Sequence, residues 1–110
     1  MAYDEQLADR IRAHVEQEKG LTEKRMFGGL AFLINGRMAV AAGSKGDVML
    51  RVDPKDTERL LQLPNTSPFE MRGREMVGWL NLDANGISSE EELAEWIQRG
   101  VAYAKSLPAK

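Results

Sequence analysis

The sequence predicts an α+β fold, a two-layer sandwich in which an antiparallel sheet carries its helices on one face, and three observations predict it. Amphipathic helical stripes stand near both ends of the chain, with a shorter one between. Short apolar runs broken by Gly and Asn-Gly pairs fill the intervening segments. The connections between those runs are tight turns, which join neighbouring strands antiparallel. The element order is helix, three or four strands, helix, two strands, helix.

Leu7, Ala8, Ile11 and Val15 recur at helical spacing among polar residues and predict a first helix from about Tyr3 to Glu18. Gly20 after Lys19 is the expected left-handed cap. From Leu21 to Val52 the period shortens to that of strands. Asn35-Gly36 separates Leu30–Ile34 from Arg37–Ala41, and both turn residues tolerate the positive φ of a type I′ hairpin. Gly43–Gly46 turns the chain again before Val48–Val52, with Lys45 at the tip.

Asp53-Pro54 supplies an N-cap followed by a proline where no N–H is needed. Thr57, Leu60 and Leu61 then form the apolar side of a short helix ending before Pro64. Asn65–Pro68 reads as a polar loop, and Phe69–Arg72 and Met76–Leu82 read as a hairpin turning at Gly73-Arg74. Ser88 and Ser89 each precede a glutamate by three residues, so two overlapping capping boxes compete to start the last helix. Leu93, Trp96, Ile97, Gly100, Val101 and Ala104 give that helix its buried stripe.

The chain has 110 residues, 43% of them hydrophobic and 29% charged, enough apolar material for one core and the usual size of one domain. The single domain is expected to span 1–110. Cysteine is absent, which excludes disulfides, thiolate nucleophiles and Cys-based metal centres. An acidic start and the lack of any apolar run approaching roughly 20 residues point to a cytoplasmic chain with no membrane span. The formal net charge of −2 argues against a nucleic acid as the main partner, since that binding rests on surplus Lys and Arg.

No catalytic constellation stands out. His14 is the only histidine and no nucleophile elbow accompanies it, so it reads as a residue on the flank of the first helix. Gly28-Gly29 lacks the Lys-Ser/Thr of a phosphate loop and reads as a tight reversal or a close approach. Asp53, Asp56 and Glu58 cluster, but capping and helix-dipole effects account for them better than a metal does. No cofactor is expected.

The arginines and aromatic residues carry the remaining candidates. Arg25, Arg37, Arg51, Arg72 and Arg74 lie on or beside strands, where a period of two can bring several to one face. Such a face would suit an anion or an acidic partner. Ladders to Glu23, Glu70 and Glu75 are the plainer use. Trp79 and Trp96 with Phe27, Phe32 and Phe69 line either a pocket or an ordinary core. The candidate binding residues are therefore Arg51, Arg72, Arg74, Phe27 and Trp79.

Several separate motifs together resemble one known family. Met26-Phe27-Gly28-Gly29, Phe32, Asn35-Gly36, Leu50–Asp53, Pro68–Arg74, Gly78-Trp79, Leu93–Trp96 and Ala102-Tyr103 resemble, in order, the TfoX N-terminal domain family. The resemblance covers nearly the whole chain. It implies a two-layer fold similar to that of secretion chaperones. The namesake proteins regulate natural competence and carry a second domain beyond this one. The resemblance implies no catalytic residues.

Together these features point to a non-enzymatic binding or regulatory module acting through protein contacts, with a small-ligand or anion-binding domain, with or without an unrecognised enzymatic activity, as the alternative. A homodimer is also expected. Met38, Val40, Val48, Leu50 and Val52 alternate with Ala39, Ala41 and Met49, so neither face of the sheet reads as polar. A second copy of the chain or an unidentified protein would cover the surplus.

Overall fold

A capped helix begins the described part of the chain. The computed structural model describes residues 4–26, 28–43, 46–71 and 73–108. Asp4 accepts the Leu7 N–H at 3.1 Å and opens α1, Glu5–Val15. The helix ends a turn earlier than its pattern suggests, and Gly20 takes its positive φ of 78° just before the first strand instead of capping the helix. There the backbone of Gly20 accepts the Asn35 N–H at 3.0 Å, which ties the entry of the strand to the next hairpin.

Four strands follow: β1 Leu21–Met26, β2 Gly29–Ile34, β3 Arg37–Ala42 and β4 Val48–Arg51. Asn35 and Gly36 turn between β2 and β3 with φ of 54° and 81°, the two positive values that a type I′ turn demands. A Cβ on Gly29 would collide with the Ala42 carbonyl, so the glycine pair combines a positive-φ turn at Gly28 with a close strand approach at Gly29. Of the Gly43–Gly46 turn, Ser44 and Lys45 lie outside the described residues.

Asp53 caps a 3₁₀ turn, Pro54–Asp56, by accepting the Lys55 N–H at 2.9 Å, and α2, Thr57–Leu60, continues it. The segment expected to be a loop enters the sheet: β5 runs Thr66–Met71 and pairs with β6, Arg74–Leu82. Pro68 does not prevent this because β5 is an edge strand, where a missing N–H has no ladder partner to lose. A second 3₁₀ turn, Ala84–Ile87, precedes α3, Glu90–Ser106. Ser89 wins the competition for its cap, accepting the Glu92 N–H at 3.0 Å, while the Ser88 hydroxyl donates back to Asn85.

The result is one six-stranded antiparallel sheet in the order β1-β2-β3-β4-β6-β5, with the helices packed on it as an α+β fold. The main core joins Leu7, Ile11 and Val15 of α1 and Leu93, Ile97 and Val101 of α3 to Phe32, Ile34, Val40, Leu50 and Leu80 of the sheet. Burying side chains of this size stabilises by about 1.5–3 kcal/mol each.

Ion pairs tie α1 to its neighbours. Arg12 donates two hydrogen bonds to Glu23 of β1, at 2.7 and 2.9 Å, and Arg10 and His14 both meet Glu90 at the start of α3. His14 thus lies on the flank of its helix. The hydrogen bonds from Arg12 hold the Glu23 carboxyl below its ordinary value of 4.5, and those from His14 and then Arg10 do the same for Glu90. A carboxyl lowered by folding stabilises the native state above its unfolded value, and that support is lost as the pH falls through the native one. The thermal midpoint is therefore expected to fall as the pH drops below 4.5. Calorimetry across that range should show a shallower fall for Glu23→Gln.

Candidate functional site

The sheet buries apolar side chains on both faces. Opposite the main core, Ala31, Met38, Ala41 and Met49 form a second buried cluster, flanked by the half-buried Leu33, Phe69 and Trp79. All seven lie on strands, and no helical residue belongs to the cluster. Two residues before Trp79 on β6, Val77 is 68% exposed.

A bulge decides which residues reach this face. Phe32 pairs with Val40 and Leu33 with Met38, so Ala39 is the extra residue on β3. Ala39 and Val40 both join the main core, and Met38 moves to the opposite face beside Ala41. The expected alternation of Met38 and Val40 against Ala39 and Ala41 is thus broken within β3. Thioether side chains adapt to irregular partners, so the two buried methionines make a deformable layer beneath Leu33, Phe69 and Trp79.

At one end of the face, Arg51 of β4 stands directly across from Trp79 of β6. Its guanidinium carbon lies 4.8 Å from the Trp79 ring centroid and 5.6 Å from that of Tyr103 on α3. β3 pairs with β4 only from Val40 to Ala42, so no β3 residue pairs with Arg51. Phe69 tilts against Trp79 with centroids 6.4 Å apart. Among the described residues no carboxylate forms an ion pair with Arg51. The site is a cation held by rings, beside an apolar sheet face.

The other arginines do not gather here. Arg25 pairs across from Leu30 and Arg37 from Ile34, on the side of the sheet that carries the helices. Arg37 donates to the Pro108 carbonyl at 3.0 Å. Arg74 begins β6, five residues and about 17 Å of strand from Trp79. Phe27 and Arg72 lie outside the described residues. Glu23, considered as a cross-strand partner, binds Arg12 of α1 instead, and Glu70 and Glu75 are register partners of each other. Phe32 and Trp96 belong to the main core, and Trp79 and Phe69 to the opposite face. Of the five candidate residues the structure brings together Arg51 and Trp79. Sequence reasoning counted Met49 among the apolar residues of the sheet but did not name Tyr103 for this region, since only the path of α3 places it there.

Asp53 is a cap, Asp56 pairs with Arg59 at 3.1 Å and Glu58 is exposed. Among the described residues no three of His, Cys, Asp and Glu gather as metal ligands. Among the same residues no helix is long and apolar enough to cross a membrane.

Arg51→Ala is expected to lower stability by about 1 kcal/mol, the weight of a partly exposed cation–ring contact. Circular dichroism melts should show a shift of a few degrees. Unfolding at ordinary temperature would instead mean that Arg51 neutralises a buried charge.

Fold and site together define a small α+β domain with one two-faced sheet, one face under helices and the other apolar and helix-free. The chain belongs to the TfoX N-terminal domain family, whose model matches residues 13–104. Two solved structures share the fold. A Deinococcus radiodurans protein with a DUF419 domain superposes with a TM-score of 0.67 at 19% identity, covering 92% of this chain and 81% of its own. A Pseudomonas syringae protein gives a TM-score of 0.57 at 14% identity, covering 84% of this chain and 93% of its own. No curated protein matches the chain.

Proposed function

We propose that this domain is a non-enzymatic binding module that works through protein contacts made by its helix-free sheet face, and that its first partner is a second copy of itself. The observation that carries the reading is the cluster of Ala31, Met38, Ala41 and Met49 with Leu33, Phe69 and Trp79. Ala31, Met38, Ala41 and Met49 are themselves at most 7% exposed, so the surface offered to a partner is that of the half-buried Leu33, Phe69 and Trp79 lying over them. Apolar side chains gathered on one sheet face without a helical cover favour association. Two-fold pairing is the commonest closed arrangement for one chain type.

Light scattering coupled to size exclusion at micromolar concentration tests the reading. The expected mass is twice the 12.3 kDa of the chain, and Leu33→Glu should return it to that of one chain. A monomeric mass at every concentration removes the self-association.

A second reading rests on Arg51, whose guanidinium has ring contacts but no carboxylate partner among the described residues. It would make the domain a binder of small anions. Isothermal titration with inorganic phosphate separates the two, since only this reading expects heat that disappears in Arg51→Ala.

A further inference from the structure

Where the helix-free face ends, a cleft of about 380 Å³ opens between α2 and the β5–β6 hairpin. Its walls are Pro54, Leu61, Pro68 and Val77, with Trp79 beside them and Glu58 the one charged lining residue. That volume sits at the lower end of the range for ligand sites, enough for one or two ring-sized groups. Three features specify the occupant.

First, the walls are stiff and apolar. Two prolines and a β-branched valine lose little rotamer freedom when covered. Second, Trp79 is half-buried and its indole N–H, which makes no hydrogen bond among the described residues, is not buried and stays open to an acceptor. Third, the exposed Glu58 carboxylate has neither an ion pair nor a hydrogen bond among the described residues. The cleft thus combines an aromatic ring, a free donor and a free negative charge.

We propose that this cleft holds an extended, proline-containing protein segment that carries an arginine or lysine beside its prolines. A polyproline-type strand has no internal hydrogen bonds, so its carbonyls are available to the Trp79 N–H. Its rings fit an aromatic-lined groove and it is ordered before it binds. The basic residue meets Glu58. The inference rests on the reading of this region as a protein-binding surface and names the chemistry of a partner for its edge.

Trp79 reports occupancy by its own fluorescence, since Trp96 lies in the core at 8% exposure. The probe is a blocked peptide of alternating leucine and proline ending in arginines, titrated beside the same peptide ending in glutamates and beside hexylammonium alone. The arginine peptide should shift the emission saturably, the glutamate peptide should not, and Trp79→Phe, followed by isothermal titration because the variant lacks the reporter, should bind the arginine peptide more weakly. Glu58→Gln should weaken binding about threefold, in line with one solvent-facing ion pair. Equal binding of the two peptides, no binding of either, or an unchanged affinity in Glu58→Gln overturns the proposal. Saturation by hexylammonium at the same midpoint as the peptide also overturns it, because the cleft would then be a site for small amines. Light scattering on the same samples keeps two failures apart: a dimer that ignores the peptide loses this inference alone, whereas a monomer that ignores it loses the protein-binding reading as well.

Discussion

Gly100→Val is expected to destabilise the domain by about 3 kcal/mol or more, at the upper end of what overpacking costs. Gly100 is buried in the middle of α3 where the helix crosses β3 and β4. A Cβ there would stand 2.5 Å from the Ala39 carbonyl oxygen and 2.8 Å from a Leu50 methyl. The carbonyl belongs to a strand and cannot rotate away as a long side chain can. Valine adds two more methyls to the same contact, so α3 must lift from the sheet and thin the contacts of Ile97 and Val101. For a domain near 100 residues each kilocalorie per mole moves the midpoint by about 4–8 °C, so a drop of more than about 12 °C is expected in a thermal melt. Gly100→Ala should fall between valine and the native protein, because alanine gains about 1 kcal/mol of helix propensity while meeting the same carbonyl. A valine variant that melts within a few degrees of the native protein would show that α3 does not need to approach this closely.

Much of this architecture was legible because local chemistry and global packing agree. The Asn35-Gly36 turn, the Asp53 cap and the Ser89 cap each act within a few residues, and the structure places all three where the sequence predicts them. The element order and the antiparallel sheet followed from the same punctuation. The misjudged segments depend on partners far along the chain. Thr66–Pro68 reads as a loop by composition, yet β6 recruits it as an edge strand. The extra residue at Ala39 carries no sequence signature, although it changes which face receives Met38. The site was legible only in part for the same reason. Arg51 and Trp79 stand out by residue type, and their meeting across β4 and β6 requires the register. Tyr103 reaches Arg51 because of where α3 crosses, which no spacing in the chain encodes.

Thr57→Val should cost about 2 kcal/mol even though it exchanges side chains of nearly equal size. Thr57 is 7% exposed, the one polar side chain among the buried residues described. Its hydroxyl accepts the Gly78 N–H at 2.9 Å and stands 3.3 Å from the Asp53 carbonyl, to which it donates. Gly78 needs that acceptor. It takes a φ of 91° inside β6 and a Cβ would lie 3.3 Å from the Pro54 ring, so only glycine lets the strand bend beneath the 3₁₀ turn. Valine leaves a buried N–H without a partner, whereas removing a hydrogen bond from an exposed site would cost a fraction of this. Thr57→Ser keeps the hydroxyl and should retain most of the stability, which separates the hydrogen bond from the packing of the methyl. Thr57 also lines the cleft at Trp79, and Val77 and Trp79 flank the glycine it holds. Amide hydrogen exchange at Gly78 is expected to accelerate in Thr57→Val and to stay slow in Thr57→Ser. An amide that exchanges equally slowly in both variants would mean that β6 is held in this bend by its strand partners and not by the threonine.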